Sequence, residues 1–227
     1  GNTGERICGP RLTLQKGCWQ ALRVQIPAID GGLIERAGVL FERVHGGDLV
    51  AYVDDVDFDG GPDYLLDFAR EREEVWNPMH REISQMTRLK GIWYLEGGEL
   101  HGSGADDAEA YTGDVAWTDY EVTTALRPIV GGAHQFMARV QGACRSYAVR
   151  LCDGDRLCLM KNEDGVYRTL RGAAYAWEPE KTVRLTLRVH RDELSVLDPD
   201  GAEILRYVDQ ENPYLRGAVG VGLRQGH

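Results

Sequence analysis

Hydrophobic and polar residues alternate along most of this chain. Nearly every second position is apolar over residues 119–126, 134–140, 147–151 and 182–189, which is the period of a β-strand with one buried face. Glycine-containing turns such as Gly97-Gly98 and Asp164-Gly165 separate the apolar runs. The pattern predicts an all-β, antiparallel β-sandwich or jelly roll. Further short strands are predicted at 92–95, 99–102, 157–160, 194–197, 202–207 and 218–223.

The first part of the chain shows the same pattern over a shorter length. Leu22, Val24 and Ile26 alternate with polar residues over 20–27, and further strands are predicted at 37–44, 49–58 and 64–68. These strands are too few for a complete sandwich, so we expect a second, smaller or truncated β-sandwich segment. Its missing strands either lie upstream in a longer protein, or the segment packs against the second domain.

Residues 69–90 interrupt the alternation. They are rich in charge and contain Pro78, and they suit a linker with a short helix over 69–75. We therefore predict three regions: a partial sandwich over 1–70, a linker over 71–90 and a complete jelly roll over 91–227.

Composition narrows the classes of partner and compartment. The net charge of −10 argues against binding to nucleic acid or anionic membranes, which requires clustered Lys and Arg. No apolar run approaches the roughly 20 residues of a membrane helix, and the first residues lack the features of a signal peptide. The chain does not begin with Met, so we expect a piece of a longer protein.

The five cysteines are odd in number and lack a CxxC pair, which argues against a zinc site. Cys152 and Cys158 flank a turn, and the length of that turn decides whether they share a face of the hairpin. We expect reduced thiols in a cytoplasmic protein.

The residues 12–42 and 48–58, with a Trp-x-x-Leu-x-x-x-Ile-Pro strand and a Tyr-Val-Asp-Asp-Val strand, resemble the C-terminal half of a carbohydrate-binding-module jelly roll. This resemblance implies a structural calcium ion with Asp55 as one ligand. Calcium takes six to eight oxygen ligands, and one strand cannot supply them. The alternative is an exposed carboxylate on an edge strand.

The residues 91–104 (GIWYLEGGELHGSG) and 111–128 (YTGDVAWTDYEVTTALRP) resemble concanavalin A-like, laminin-G-like jelly rolls. The two domains, joined by REISQMTRLKGIWYLEGG, are similar to the accessory region of some bacterial ADP-ribosylglycohydrolase-family proteins. That resemblance implies an upstream catalytic domain, which in that family is helical and holds two magnesium ions. Neither feature is present in this sequence, so no catalytic residue is assigned.

Motifs for catalysis are absent from the sequence. It contains no Gly-x-Ser-x-Gly, His-Glu-x-x-His or phosphate loop, and its six His are dispersed. The carboxylates near the turns do not form the Glu-x-Asp-x-x-Glu strand of concanavalin-like glucanases. We therefore expect no catalysis in this chain. The alternative is a concanavalin-like glycoside hydrolase that uses Glu99 and Asp114.

A sugar-binding surface needs aromatic rings and planar polar groups on one face. Strict alternation places Arg139 on the face of its strand opposite Phe136, and Arg150 on the corresponding face of the next strand. We predict that both arginines project from one open face, with Trp117 as a contact at its rim. The alternatives are a solvated face with arginines paired to local acids, and a Trp117 that caps the core.

These observations support a non-catalytic region that binds a carbohydrate or a ribose-containing ligand for a larger glycohydrolase. The alternative is a structural region that packs on a catalytic domain and has no ligand of its own.

Overall fold

The computed structural model describes residues 6–27, 37–42, 46–48, 50–56, 63, 65–71, 73–77, 80–83, 85–152 and 155–227. The chain divides into two compact units, one of Gly1–Asp59 with Asp63–Leu65 and one of Gly60–Pro62 with Leu66–His227. No helix in the described part of the chain is long and apolar enough to cross a membrane.

All the named strands belong to the second unit, and all of their pairings are antiparallel. In chain order they are β1 Glu73–Asn77, β2 His80–Ile83, β3 Thr87–Lys90, β4 Ile92–Glu96, β5 Glu99–Thr112, β6 Tyr120–Leu126, β7 Ala133–Val140, β8 Arg145–Cys152, β9 Arg156–Glu163, β10 Val166–Ala174, β11 Val183–His190, β12 Glu193–Leu197, β13 Glu203–Val208 and β14 Ala218–Gly226.

Two sheets form the sandwich. The large sheet has the order β10-β9-β8-β7-β14-β5-β3, with β4 also paired to β5, and the small sheet has the order β13-β12-β11-β6. The chain changes between these two sheets after β5, β6, β10 and β13. The predicted all-β antiparallel sandwich is confirmed.

The main core lies between the two sheets. It combines apolar side chains of β7, β8 and β9 with those of β6, β11, β12 and β13, at the alternate positions that the sequence pattern predicts. The most deeply buried members are Phe136, Ala138, Tyr147, Val149, Leu151, Leu157, Leu159, Leu185, Leu187, Val189 and Val196.

The region predicted as a linker contains strands. β1 and β2 pair as a two-stranded sheet, and β3 joins the large sheet beside β5. The helix predicted over 69–75 is wrong, since residues 68–70 form a turn and β1 begins at Glu73. β3 lies at the edge of the large sheet. Edge strands commonly carry charged residues, and β3 carries Arg88 and Lys90. Its composition therefore resembles that of a linker.

The described residues of the first unit contain no strand. The strand predicted over 20–27 is wrong, and Leu22, Val24 and Ile26 remain about two-fifths exposed (43%, 42% and 42%). Alternation creates an apolar face, but a strand also needs a neighbour to pair its backbone groups. The strands predicted at 37–44, 49–58 and 64–68 are also absent from their described parts, residues 37–42, 50–56 and 65–68. Residues 43–44, 49, 57–58 and 64 lie outside the described residues, and the partial sandwich over 1–70 stays a prediction.

A buried ion pair fixes the loop after β13. The Lys161 side chain is fully buried, with Nζ 2.7 Å from Asp209 Oδ2, and it also donates to the carbonyls of Glu211 and Asn212 at 2.9 Å each. The Tyr147 hydroxyl donates to the same Asp209 carboxylate. Burial alone would raise the pKa of Asp209, but the hydrogen bonds from Lys161 and Tyr147 outweigh it and leave that pKa below its ordinary value.

Two glycines of β14 let side chains close over the large sheet. A Cβ at Gly220 would lie 2.6 Å from Tyr111 Cδ1, 2.9 Å from the Ala110 carbonyl oxygen and 3.0 Å from Met137 Cε. A Cβ at Gly222 would lie 3.0 Å from the Ala108 carbonyl oxygen. The space that β14 leaves empty is therefore filled by neighbours from β5 and β7.

Asp209→Asn should lower the free energy of unfolding at pH 7 by about 3–5 kcal/mol, because it removes the buried carboxylate beside Lys161 and leaves that charge with two carbonyls and the more exposed Glu163, whose Oε1 lies 3.5 Å from Lys161 Nζ. Because the pKa of Asp209 is lower in the folded than in the unfolded state, its ionised carboxylate stabilises the fold above about pH 4. This stabilisation is lost as the pH falls through the folded-state pKa. The difference between wild type and variant should therefore shrink below about pH 4. Urea unfolding followed by circular dichroism measures the stability difference at pH 7 and its decrease below about pH 4. The matched control is Asp200→Asn, at an exposed turn position. Equal stability of wild type and Asp209→Asn at pH 7 would contradict this account.

Gly220→Ala should destabilise the second unit by about 1–3 kcal/mol, because the new methyl group overlaps the Tyr111 ring and the backbone of β5. Urea unfolding measures the change. Gly46→Ala, where an added Cβ meets nothing within 4 Å, should leave the transition of this unit unchanged. A neutral Gly220→Ala would show that the Tyr111 ring does not lie over β14.

Candidate functional site

The face of the large sheet that points away from the main core carries a row of paired residues. Glu109 of β5 lies opposite Gly222, Gly222 opposite Gln135, and Gln135 opposite Arg150. Tyr111 follows Glu109 at the next position of the same face. With Tyr167 of β10, these side chains form what we call the polar cluster: Glu109, Tyr111, Gln135, Arg150 and Tyr167.

Glu109 lies at the base of the polar cluster and is only 3% exposed. Its Oε2 accepts the Tyr111 hydroxyl, and its Oε1 accepts the Tyr167 hydroxyl at 3.1 Å. Burial and the charge of Glu109 raise the pKa of Tyr167 to about 12, and burial followed by the hydrogen bond to Glu109 also raises the pKa of Tyr111. Both tyrosines therefore stay protonated and act as donors at neutral pH.

Gln135 and Tyr167 hold the Arg150 guanidinium in place. Arg150 Nε donates to Gln135 Oε1 at 2.8 Å, and Gln135 Nε2 donates to the Tyr167 hydroxyl at 3.1 Å. The guanidinium carbon lies 4.7 Å from the centre of the Tyr167 ring, within cation–π range. Arg150 and both tyrosines remain partly exposed, so they form the surface that a ligand would meet.

The contact between Tyr167 and Glu109 requires a strongly curved sheet. β10 and β5 are five steps apart in the strand order, which is about 24 Å in a flat sheet at about 4.8 Å a step. Two side chains cannot span that distance. The face that carries the polar cluster is therefore concave.

Arg150 lies in the polar cluster, as the prediction of a binding face requires, but Arg139 does not. The β14–β7 register shifts between Ala218 and Gly220, and Arg139 has a φ of 55°. This bulge adds a residue to β7 and reverses the side on which Arg139 projects. The prediction that Arg139 and Arg150 share a face is wrong.

Arg139 instead points between the sheets and is fully buried. Its Nη2 lies 3.1 Å from Asp119 Oδ1, and its guanidinium carbon lies 5.7 Å from the centre of the Tyr120 ring. Its backbone N–H donates to the Tyr120 hydroxyl at 2.7 Å. These contacts fasten β7 to the start of β6.

Trp117 lies with Tyr120 rather than with the polar cluster. Its ring packs on the main core, meets the Tyr120 ring edge-on at a centroid distance of 6.1 Å and covers Gly113. This placement matches the alternative interpretation of Trp117 as a cap of the core, and its role as a rim contact stays a prediction.

Asp55 lies in the first unit with a φ of 51°, and its backbone N–H donates to Asp54 Oδ1 at 3.0 Å. Among the described residues, no group of three or more His, Cys, Asp or Glu is arranged to hold a metal ion. Residues 57–62 are outside the described part, and the calcium ion stays a prediction.

The two acids of the alternative hydrolase site are engaged elsewhere. Glu99 pairs with Arg127, whose hydrogen bond lowers the pKa of that carboxyl group. Asp114 accepts the backbone N–H of Ala116 at 2.8 Å within a turn. Neither carboxylate belongs to the polar cluster.

Cys152 and Cys158 share one face, because the β8–β9 register pairs Cys152 with Arg156. Burial and then a hydrogen bond with Cys158 raise the pKa of the Cys152 thiol to about 11. All five cysteines are free thiols.

Sequence analysis missed Glu109, Tyr111 and Tyr167. The predicted strand over 99–102 stopped early because β5 continues with Ala108 and Ala110 at its inward positions, where a strand usually has larger apolar residues. The alternation of Asp107, Glu109 and Tyr111 with these alanines was the available signal.

β10 was missed for a different reason. Its pairing with β9 shifts between Thr169 and Arg171, so its apolar positions change face within the strand. No single alternation covers 166–174, and Tyr167 consequently gave no signal.

Solved structures with a similar fold include a carbohydrate-binding module, CBM66 from Bacillus subtilis. It has 16% sequence identity and a TM-score of 0.57, over 63% of this chain and 89% of that chain. A Bacillus licheniformis β-glucanase aligns at 10% identity and a TM-score of 0.48, over 69% of this chain and 86% of its own. The Caenorhabditis elegans galectin LEC-6 aligns at 12% identity and a TM-score of 0.39, over 51% of this chain and 81% of its own.

No protein-family model and no curated protein sequence matches this chain. At these identities the likeness concerns the fold alone. The likeness to CBM66 agrees with the sandwich of two antiparallel sheets.

Proposed function

We propose that this protein binds carbohydrate through the polar cluster on the concave face of its large sheet. The observation that carries this proposal is the meeting of two tyrosine rings, a guanidinium, an amide and a carboxylate on one curved surface. Sugars present C–H faces that suit aromatic rings and hydroxyls that suit planar polar groups. A fold shared with a carbohydrate-binding module adds support.

Binding without hydrolysis fits the carboxylates of this face. Both oxygens of Glu109 already accept tyrosine hydroxyls, and Asp107 lies near Lys90 (3.8 Å) and Arg224 (3.6 Å). Glycoside hydrolysis needs one carboxyl group free to donate a proton and a second free to attack or activate water. The arrangement on the concave face favours recognition.

We also propose that this region has an accessory role in a larger protein. It directs a glycohydrolase similar to the ADP-ribosylglycohydrolase family to a carbohydrate or ribose-containing substrate. This role rests on the sequence resemblance, and the free thiols support a cytoplasmic location.

Isothermal titration calorimetry against a panel of glycans and ADP-ribose tests the function. We expect at least one ligand to bind, and Tyr167→Ala to weaken it at least tenfold, about 1.4 kcal/mol, because the ring and its hydrogen bonds to the cluster are lost. Tyr52→Ala, which removes a tyrosine 78% exposed in the first unit, should bind as wild type does. Circular dichroism verifies that each variant is folded.

Two results would count against the proposal. No binding at millimolar ligand would favour a structural region without a ligand. Binding that Tyr167→Ala leaves unchanged would place the site away from the polar cluster.

A further inference from the structure

We propose that the polar cluster selects acidic sugars, and that Arg150 binds the anionic substituent. This inference rests on the proposed function, since it names the class of ligand for the same site. The shared chemistry is an oxyanion on a sugar, either the carboxylate of a uronic acid or the phosphate of a nucleotide sugar.

The guanidinium of Arg150 is incompletely paired. Its Nε donates to Gln135, and its two terminal nitrogens have no hydrogen-bond or ion-pair partner among the described residues. Several other arginines of the second unit have carboxylate partners, even at exposed positions, whereas Arg156, Arg171 and Arg184 have no ion pair among the described residues. The paired arginines include Arg127 with Glu99, Arg139 with Asp119, Arg168 with Glu163, Arg188 with Glu121 and Arg206 with Glu193.

A partly buried cation without a hydrogen-bonded counter-ion is costly. Burial lowers the pKa of Arg150 and the nearby charge of Arg224 acts in the same direction, while the carboxylate of Asp107 acts in the opposite direction without outweighing them. An oxyanion on the ligand would relieve this cost and engage the two terminal nitrogens as a bidentate pair. The ring of Tyr167 beneath the guanidinium holds its plane in one orientation.

The surroundings of Arg150 are positive, although the chain as a whole carries a net charge of −10. Arg224 and Lys90 both lie near a single carboxylate, that of Asp107. Arg156 lies on the same face, because the sheet register pairs it with Cys152, two residues beyond Arg150. Cations therefore outnumber carboxylates at this part of the concave face, which favours an anionic ligand.

Glu109 does not neutralise Arg150. Gln135 and Tyr167 lie between them, and the oxygens of Glu109 accept the hydroxyls of Tyr111 and Tyr167. Gln135 is thus the neutral partner that leaves the charge of Arg150 available to a ligand. A carboxylate at position 135 would supply the missing ion pair from within the protein.

Matched pairs of ligands test the inference by calorimetry on the wild-type chain. Oligogalacturonate is compared with its neutral methyl ester, and ribose 5-phosphate with uncharged ribose. We expect the charged member of at least one pair to bind at least tenfold more tightly at low salt, with the preference falling as salt rises. A preference in the first pair alone identifies a carboxylate, and one in the second pair alone identifies a phosphate.

Two substitutions assign that preference to Arg150. Arg150→Gln removes the charge, and Gln135→Glu neutralises it while the arginine stays in place, so each should reduce the preference to less than threefold. Arg184→Gln removes an exposed charge from the small sheet and should leave the preference intact. Because Gln135→Glu conserves shape, it remains informative if Arg150→Gln fails to fold.

Equal binding of charged and neutral ligands, still weakened by Tyr167→Ala, would overturn the inference and leave the proposed function standing. A preference that persists in Gln135→Glu would overturn the role of Arg150. The absence of binding to every ligand of the glycan panel would overturn the proposed function and this inference together.

Discussion

The curvature of the large sheet is the constraint on which the rest of the site depends. Tyr167 and Glu109 are in contact although five strand steps separate them in the sheet order. The curved face has room for the Tyr111 ring and Met137 because β14 carries Gly220 and Gly222 where it passes beneath them. A flat sheet would spread the same side chains across a solvated surface, where a ligand could not touch them together.

Buried charge has two different roles in this sandwich. Lys161 pairs with the buried Asp209, and the buried Arg139 pairs with Asp119 at the surface; these pairs join a loop or a strand to its neighbours. Such pairs contribute little net stability, but breaking one is expensive. Arg150 differs from them because its partners are an amide and an aromatic ring. That difference separates the cation suited to a ligand from the cations that serve the fold.

Sequence reasoning succeeded where apolar residues alternate without interruption. The inward positions of β7, β8 and β11 could be assigned because one face of each strand is buried in the main core. It failed at Arg139, where one additional residue in β7 reverses the face. It also failed over 20–27, because the same alternation has no neighbouring strand with which to pair.

The sequence by itself determined the all-β class, most strands of the sandwich and the outward position of Arg150, because these depend on local periodicity. Only the tertiary structure decided which residues join Arg150 in the polar cluster. Glu109 and Tyr111 lie on β5 and Tyr167 lies on β10, and strand order together with curvature brings them to one face. A bulge moved Arg139 to the interior. Pairing order, register shifts and curvature are set by contacts between distant segments, and no local pattern of residues records them.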